Sequence, residues 1–181
     1  MLLLCGLGNS GAAYRNTRHN MGFLAIERFS KSQSVPMSRK VAGCVVGETA
    51  SALLAKPDTF MNLSGGPVAA LMKKRNIPPE NLVVVHDDLD MEFGKLRLKW
   101  DGGDGGHKGV RSVAEHVGTS QFLRVKIGIG RDPVAPPDEY VLSRFKPTEA
   151  DALAEALDRA VEALGVLIAE GRERAMNLFN R

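Results

Sequence analysis

The run Leu82-Val83-Val84-Val85-His86 limits the possible folds more than any other stretch of this chain. It is short, apolar and rich in β-branched residues. Such a run suits a strand buried on both faces, as in a parallel sheet covered by helices. It runs directly into Asp87-Asp88-Leu89-Asp90. The pattern therefore predicts a central strand that delivers Asp87 to its carboxyl end, the edge where ligands gather in open α/β sheets.

The remaining segments supply partners for that strand. Residues 1–5 predict a second buried strand, and residues 41–47 and 50–56 two short ones. Residues 95–100 and 122–129 alternate, which is a strand signal. The alternation turns Leu96, Leu98, Leu123, Val125, Ile127 and Ile129 inward, and Arg97, Lys99, Arg124 and Lys126 outward. Helical spacing marks residues 20–30, with Asn20 as a candidate cap, and residues 65–76, with Pro67 in the first turn and Pro78-Pro79 as the stop. A further helix is expected over about 108–117. Residues 131–140 hold three prolines and read as a surface loop. Thr148 and Asp151 resemble a capping box that opens a long last helix. Interleaved strands and helices imply an α/β fold. The expectation is a single domain over residues 1–181, with a mixed, largely parallel, twisted sheet surrounded by helices.

Composition excludes several classes. No apolar run approaches the roughly 18 residues that a membrane span needs, so no membrane partner is expected. The apolar start lacks a basic flank and soon meets Gly6 and Gly8, so it reads as a strand rather than a signal peptide. Cys5 and Cys44 sit in apolar runs without a CxxC or Cys/His pairing. They read as buried free thiols in a reducing cytoplasm, with no zinc site and no disulfide. A net charge of +3 is too mild to establish nucleic-acid binding by itself.

Five polar clusters could carry chemistry. The first is Gly6-Leu7-Gly8-Asn9 with Gly11, where glycines after a strand allow a ligand close to the backbone. A dinucleotide site would need a helix opening there, and Tyr14 to Arg18 do not continue as an apolar one. The second holds His19 where a loop meets a helix, and an imidazole can accept a proton from water near neutral pH. The third runs from Lys56 to Gly65 and includes Met61 and Asn62; the Asn62 amide can hold a carbonyl or cap a helix. The fourth is His86-Asp87-Asp88-Leu89-Asp90. Its carboxylates suggest a metal or an acid/base pair, but no second acidic cluster completes a magnesium cage, and turn chemistry accounts for Asp88 and Asp90. The fifth is Gly102-Gly103-Asp104-Gly105-Gly106-His107-Lys108-Gly109, a flexible cover whose His107 and Lys108 open the next helix.

Taken together these segments resemble the bacterial peptidyl-tRNA hydrolase family. The matching pieces are GLGN (6–9), TRHNMG (17–22), KPDTFMNLSG (56–65), VVHDDLD (84–90), GGDGGHKG (102–109), RVKIGIGR (124–131) and AMNLFN (175–180). The resemblance implies a metal-independent, cofactor-free esterase of translation and ribosome rescue. Its substrate is peptidyl-tRNA, held by the acceptor stem and 3′ end, and it acts as a cytoplasmic monomer. Carried over by position, His19 is the base, Asp87 its acidic partner, and Asn9 and Asn62 hold the substrate. Met61 and Tyr14 shape the site, and His107 belongs to the glycine-rich lid. Lys99 and Lys126 fall where the family meets tRNA phosphate, with Arg124 beside them. The lid departs from the usual His-Asn-Gly: Lys108 brings a charge and no acceptor, which leaves the lid's substrate contacts in question.

Two other readings use the same residues. One is a non-catalytic RNA-binding protein on this scaffold, similar to the chloroplast intron-splicing relatives of the family. The other is a nucleotide-cofactor oxidoreductase resting on Gly6, Gly8 and Gly11 alone. The expected chemistry needs neither a serine nor a cysteine nucleophile, and no G-x-S-x-G elbow is present.

Overall fold

The computed structural model describes residues 1–181. Seven strands form one sheet: β1 (Leu2–Gly6), β2 (Arg39–Val41), β3 (Cys44–Glu48), β4 (Ala52–Pro57), β5 (Leu82–Asp88), β6 (Leu96–Trp100) and β7 (Leu123–Gly128). Their order is β2-β3-β4-β1-β5-β7-β6. The inner four, β4-β1-β5-β7, are parallel, and β2, β3 and β6 add antiparallel pairs at the two sides. The expected mixed, largely parallel sheet is present, and β5 lies at its centre.

Helices α1 (Met21–Ser32), α5 (Ala150–Glu170) and α6 (Arg172–Phe179) cover one face, and α2 (Gly65–Arg75) and α3 (Lys108–Val117) the other. Alternate residues of β1 feed the two cores: Leu4 packs with Ile26 and Phe29, while Leu3 and Cys5 pack with Leu71 and Phe122. Burying a side chain of this size is worth about 1.5–3 kcal/mol. Helix α1 approaches the sheet closely at Gly22. A methyl added at Gly22 would stand 2.2 Å from the Val85 carbonyl oxygen. Helix α1, and the turn before it, can therefore sit directly on the strand that carries Asp87.

Several local expectations need correction. Asn20 precedes α1 but gives it no cap, because its amide is committed to Asn9. Helix α2 stops before the prolines: Asn76 adopts the left-handed conformation, and its N–H closes on the last turn. Part of the proline-rich segment is helical, α4 (Pro137–Val141), because Pro137 is tolerated in a first turn. The last long helix begins at Ala150, not at Thr148. The carboxylate at its entrance is Glu149, which accepts from the Lys146 backbone N–H at 2.6 Å.

Candidate active site

Loops from four sources meet over the carboxyl ends of the parallel strands. Asn9 follows β1, Met61 and Asn62 follow β4, and Asp87 is the next-to-last residue of β5. His19 comes from a 3-10 turn, Arg18–Asn20, that leads into α1. His107 precedes the first turn of α3.

His19 Nδ1 lies 3.0 and 2.9 Å from the two carboxylate oxygens of Asp87. His107 Nε2 lies 2.9 Å from Asp87 Oδ1. The partners assign the tautomers. The Val110 N–H donates to His107 Nδ1, so His107 carries its proton on Nε2 and gives it to Asp87. An ionised carboxylate only accepts, so His19 donates from Nδ1 and keeps a free lone pair on Nε2. Asp87 is buried, whereas His19 keeps 12% of its side chain exposed. Burial pushes the Asp87 carboxyl up. The imidazoles of His107 and His19 outweigh it and hold the group well below the ordinary carboxylate range.

A third imidazole lies behind these two. His86 Nδ1 donates to the Asp87 carbonyl at 2.7 Å, and its ring meets that of His107 at 4.7 Å between centroids. Burial pushes His86 down to about 3, so it is neutral near pH 7. Its Nε2 has no hydrogen-bond partner.

Side chains also set the height of the surrounding loops. Asn20 Oδ1 accepts from the Asn9 N–H at 2.8 Å, and its Nδ2 donates to the Asn9 carbonyl at 3.0 Å. Asn9 Oδ1 in turn accepts from the Met61 N–H at 2.7 Å. One chain of amides thus locks the loops after β1 and β4 to the histidine turn. Arg18 secures that turn from the other side. It is buried, gives two hydrogen bonds to Glu149 at 3.0 and 2.8 Å and one to Ser143 Oγ at 3.1 Å, and lies over the rings of Tyr140 and Phe145.

A cavity of about 610 Å³ opens over this cluster. His19, Met61, Asn62, Asp87, His107, Lys108, Arg124 and Lys126 all line it, and Val141 and Leu142 form an apolar wall at the end of α4. Three expected residues lie elsewhere. Asn9 lines a separate cavity of about 180 Å³ with Arg15, Lys56 and Asp58. Tyr14 packs edge-on to Phe60 at 6.1 Å, and Lys99 is exposed on β6. Arg124 does not point to solvent as its alternation suggests: it is buried and turned under the glycine-rich segment. Lys126 lines the cavity but is paired with Asp88 at 2.5 Å. Asp88 also accepts from the Asp90 N–H, and Asp90 pairs with Arg131. Both carboxylates therefore serve the turn and its cations.

His19, Asp87 and His107 are also the side chains able to hold a metal ion, since their donor atoms lie within 4.8 Å of one another. In this arrangement both histidines are hydrogen-bonded to Asp87 and not to each other. The group escapes a search for acidic clusters because two of its members are histidines 88 residues apart in the chain (107 − 19). The sequence assigns no role to Arg18 or Glu149, and none to His86 beyond its place in the cluster that holds Asp87. Arg18 carries a hint in being a cation inside TRHNMG, but nothing local points to Glu149.

A family-wide sequence profile described as Peptidyl-tRNA hydrolase matches residues 3–181. The chain belongs to this family. A peptidyl-tRNA hydrolase of Citrifermentans bemidjiense is 42% identical over 182 residues, covering 98% of this chain and 97% of that protein. One from Thermodesulfovibrio yellowstonii is 39% identical over 186 residues and covers both chains completely. The crystal structure of peptidyl-tRNA hydrolase from Acinetobacter baumannii superposes with a TM-score of 0.91 at 33% identity, over 99% of this chain and 94% of that one. The family fold thus extends over essentially the whole chain, including the lid and the C-terminal helices.

Proposed function

We propose that this chain hydrolyses the ester between the peptide and the 3′-terminal ribose of peptidyl-tRNA, with His19 as general base. The observation that carries the reading is the Asp87 carboxylate at 2.9–3.0 Å from His19 Nδ1, which leaves Nε2 free toward an open cavity. His19 Nε2 takes a proton from a water molecule as its oxygen attacks the ester carbonyl carbon. Asp87 fixes the tautomer and steadies the imidazolium. The tetrahedral intermediate then collapses, the carbon–oxygen bond to ribose breaks, and the proton on His19 passes to the departing ribose oxygen. The products are a free peptide carboxylic acid, which loses its proton to solvent, and a tRNA with its terminal hydroxyl restored. General-base assistance of this kind contributes about 10²–10⁴-fold.

Asn62 is an exposed amide that lines the cavity, which supports a role for it as donor to the carbonyl or the oxyanion. One such donor is worth roughly 2.7–4 kcal/mol. Asn9 has its Oδ1 engaged by Met61, so it shapes the loop and offers only its NH₂ group. Val141 and Leu142 give the peptide an apolar wall. Lys126 and Lys108 at the cavity and Lys99 on β6 supply cations for phosphates of the acceptor stem and 3′ end. We place this activity in a cytoplasmic monomer serving translation, a setting that suits two buried free thiols at Cys5 and Cys44. No helix is long and apolar enough to cross a membrane.

The test is release of peptide from peptidyl-tRNA by the His19→Ala variant, with its fold checked by circular dichroism. A fall of about 10²–10⁴-fold is expected. Turnover near that of the unaltered protein would remove His19 as base.

A further inference from the structure

Arg124 is a buried cation with no carboxylate in ion-pair contact, although those of Asp101 and Asp104 lie near enough to favour its charge. Only 2% of it is exposed. Nη1 donates to the Gly103 carbonyl at 2.6 Å, and Nη2 donates to the Gly102 carbonyl and, at 3.5 Å, to that of Ser120. The guanidinium lies 5.0 Å from the centroid of the Phe122 ring, and Nε has no partner. Burying a charge in this way is expensive. What it supplies is specific: neither glycine carbonyl accepts from another backbone N–H. A planar fork presents its donors to two adjacent carbonyls in one fixed geometry, which the compact, freely rotating and more strongly hydrated ammonium of lysine does not reproduce.

The segment so held has no regular structure to support it. Asp101, Gly102, Gly105 and Gly106 have φ values of 60°, 115°, 60° and 83°. Its root is fixed by Arg124 and by Asp101, whose Oδ1 accepts from the Gly102 N–H and from Ser120 Oγ, each at 2.6 Å. Its far end is fixed by Asp104, which accepts from the Gly106 N–H through its side chain and from the His107 N–H through its carbonyl. His107 then reaches Asp87.

We propose that Arg124 is a positioning residue for the lid. It pins the root at Gly102 and Gly103 so that His107 meets Asp87, and Asp87 stays in register with His19. It acts through the backbone of the lid and not through a tRNA phosphate. The inference rests on the general-base reading above.

The test compares the unaltered protein with Arg124→Lys, which keeps the charge and loses the fork. Turnover of peptidyl-tRNA is measured over a range of salt, and amide hydrogen exchange over residues 102–107. The expected result is a kcat lowered roughly 10- to 100-fold by misplacement, with KM nearly unchanged. The dependence of kcat/KM on salt should keep its slope, and exchange across the lid should quicken. Unaltered lid exchange overturns the proposal. So does a loss confined to KM with a shallower salt slope, the behaviour of a phosphate contact. If Arg124→Lys does not fold, Arg124→Gln, with one neutral amide for one carbonyl, is read in the same way. Failure of both to fold assigns Arg124 to the core and overturns the proposal. The exchange readout needs no activity. An unaltered protein that released no peptide would sink the functional reading while the lid result stood by itself.

Discussion

Asp87 and His107 meet at 2.9 Å, yet the segments that carry them are held in place by different means. Asp87 belongs to β5, paired in parallel with β1 on one side and β7 on the other, and its position follows from backbone ladders and a packed core. His107 ends a segment of positive-φ residues whose place depends on Arg124, Asp101 and Asp104. The floor is thus set by elements that a hydrophobic pattern encodes, and the lid by individual side-chain bonds. Floor variants should therefore damage chemistry with little loss of order, and lid variants should loosen the site before they unfold the protein.

The largest expected effect is at the floor. Asp87→Asn keeps the size of the side chain but removes the negative charge and one of the two acceptor oxygens that fix His19 and His107. Single-turnover peptide release at saturating peptidyl-tRNA should fall by about 10²–10⁴-fold. Lid exchange should change much less than in Arg124→Lys. Equal loosening of the lid in both variants would erase the distinction between the two regions.

A second prediction concerns the histidine turn, which belongs to neither region. Glu149→Gln leaves the Arg18 guanidinium buried without its counter-charge. Breaking a fully buried pair costs about 3–5 kcal/mol. Glu149 keeps 25% of its side chain exposed, so a loss of about 1–3 kcal/mol by urea denaturation is the discounted expectation. Stability within experimental error of the unaltered protein would show that Ser143 and the rings of Tyr140 and Phe145 hold Arg18 without the ion pair.

The third prediction is a pH dependence of stability set by the floor. His86 titrates in the fold at about 3, below the value of about 6.5 for a free imidazole. Between those values the unfolded chain binds the extra proton, so stability is full above about pH 6.5 and falls on acidification, with a limiting slope of about 1.4 kcal/mol per pH unit. Asp87 is depressed too, and its contribution is lost only below the ordinary carboxylate range. The window from pH 6.5 down to 4 therefore tests His86. His86→Phe should flatten the fall of the urea midpoint in that window. An unchanged slope would mean that other groups carry it.

How much of this was legible in the sequence divides along the same line. The Leu82–His86 run placed β5 and Asp87 correctly because burial on both faces leaves a compositional mark. Alternation placed Leu96 and Leu98 inside and Lys99 outside for the same reason. It failed at Arg124, because a side chain on the outward face of a strand can still be covered by a loop from elsewhere in the chain. Asn20 read as a helix cap because local preference cannot see Asn9. Glu149, 131 residues from Arg18, left no local trace at all. The motifs of the family did bring His19, Asp87, Met61, Asn62 and His107 together around one cavity, where spacing alone left each open.

The smallest expected effect lies at the lid's outer edge, where this chain carries Lys108. Its ammonium lies 3.8 Å from Asp138 of α4, with 62% and 86% of the two side chains exposed. An ion pair so open to water contributes about 0–1 kcal/mol, so Lys108→Ala should leave the urea midpoint almost unchanged. Binding is a separate matter. If Lys108 exchanges Asp138 for a phosphate when peptidyl-tRNA enters, the variant should reduce the slope of log kcat/KM against log salt by about 0.7–0.9. Its kcat should stay near that of the unaltered protein. An unchanged salt slope would confine Lys108 to the surface, and the lid would then reach substrate through His107 alone.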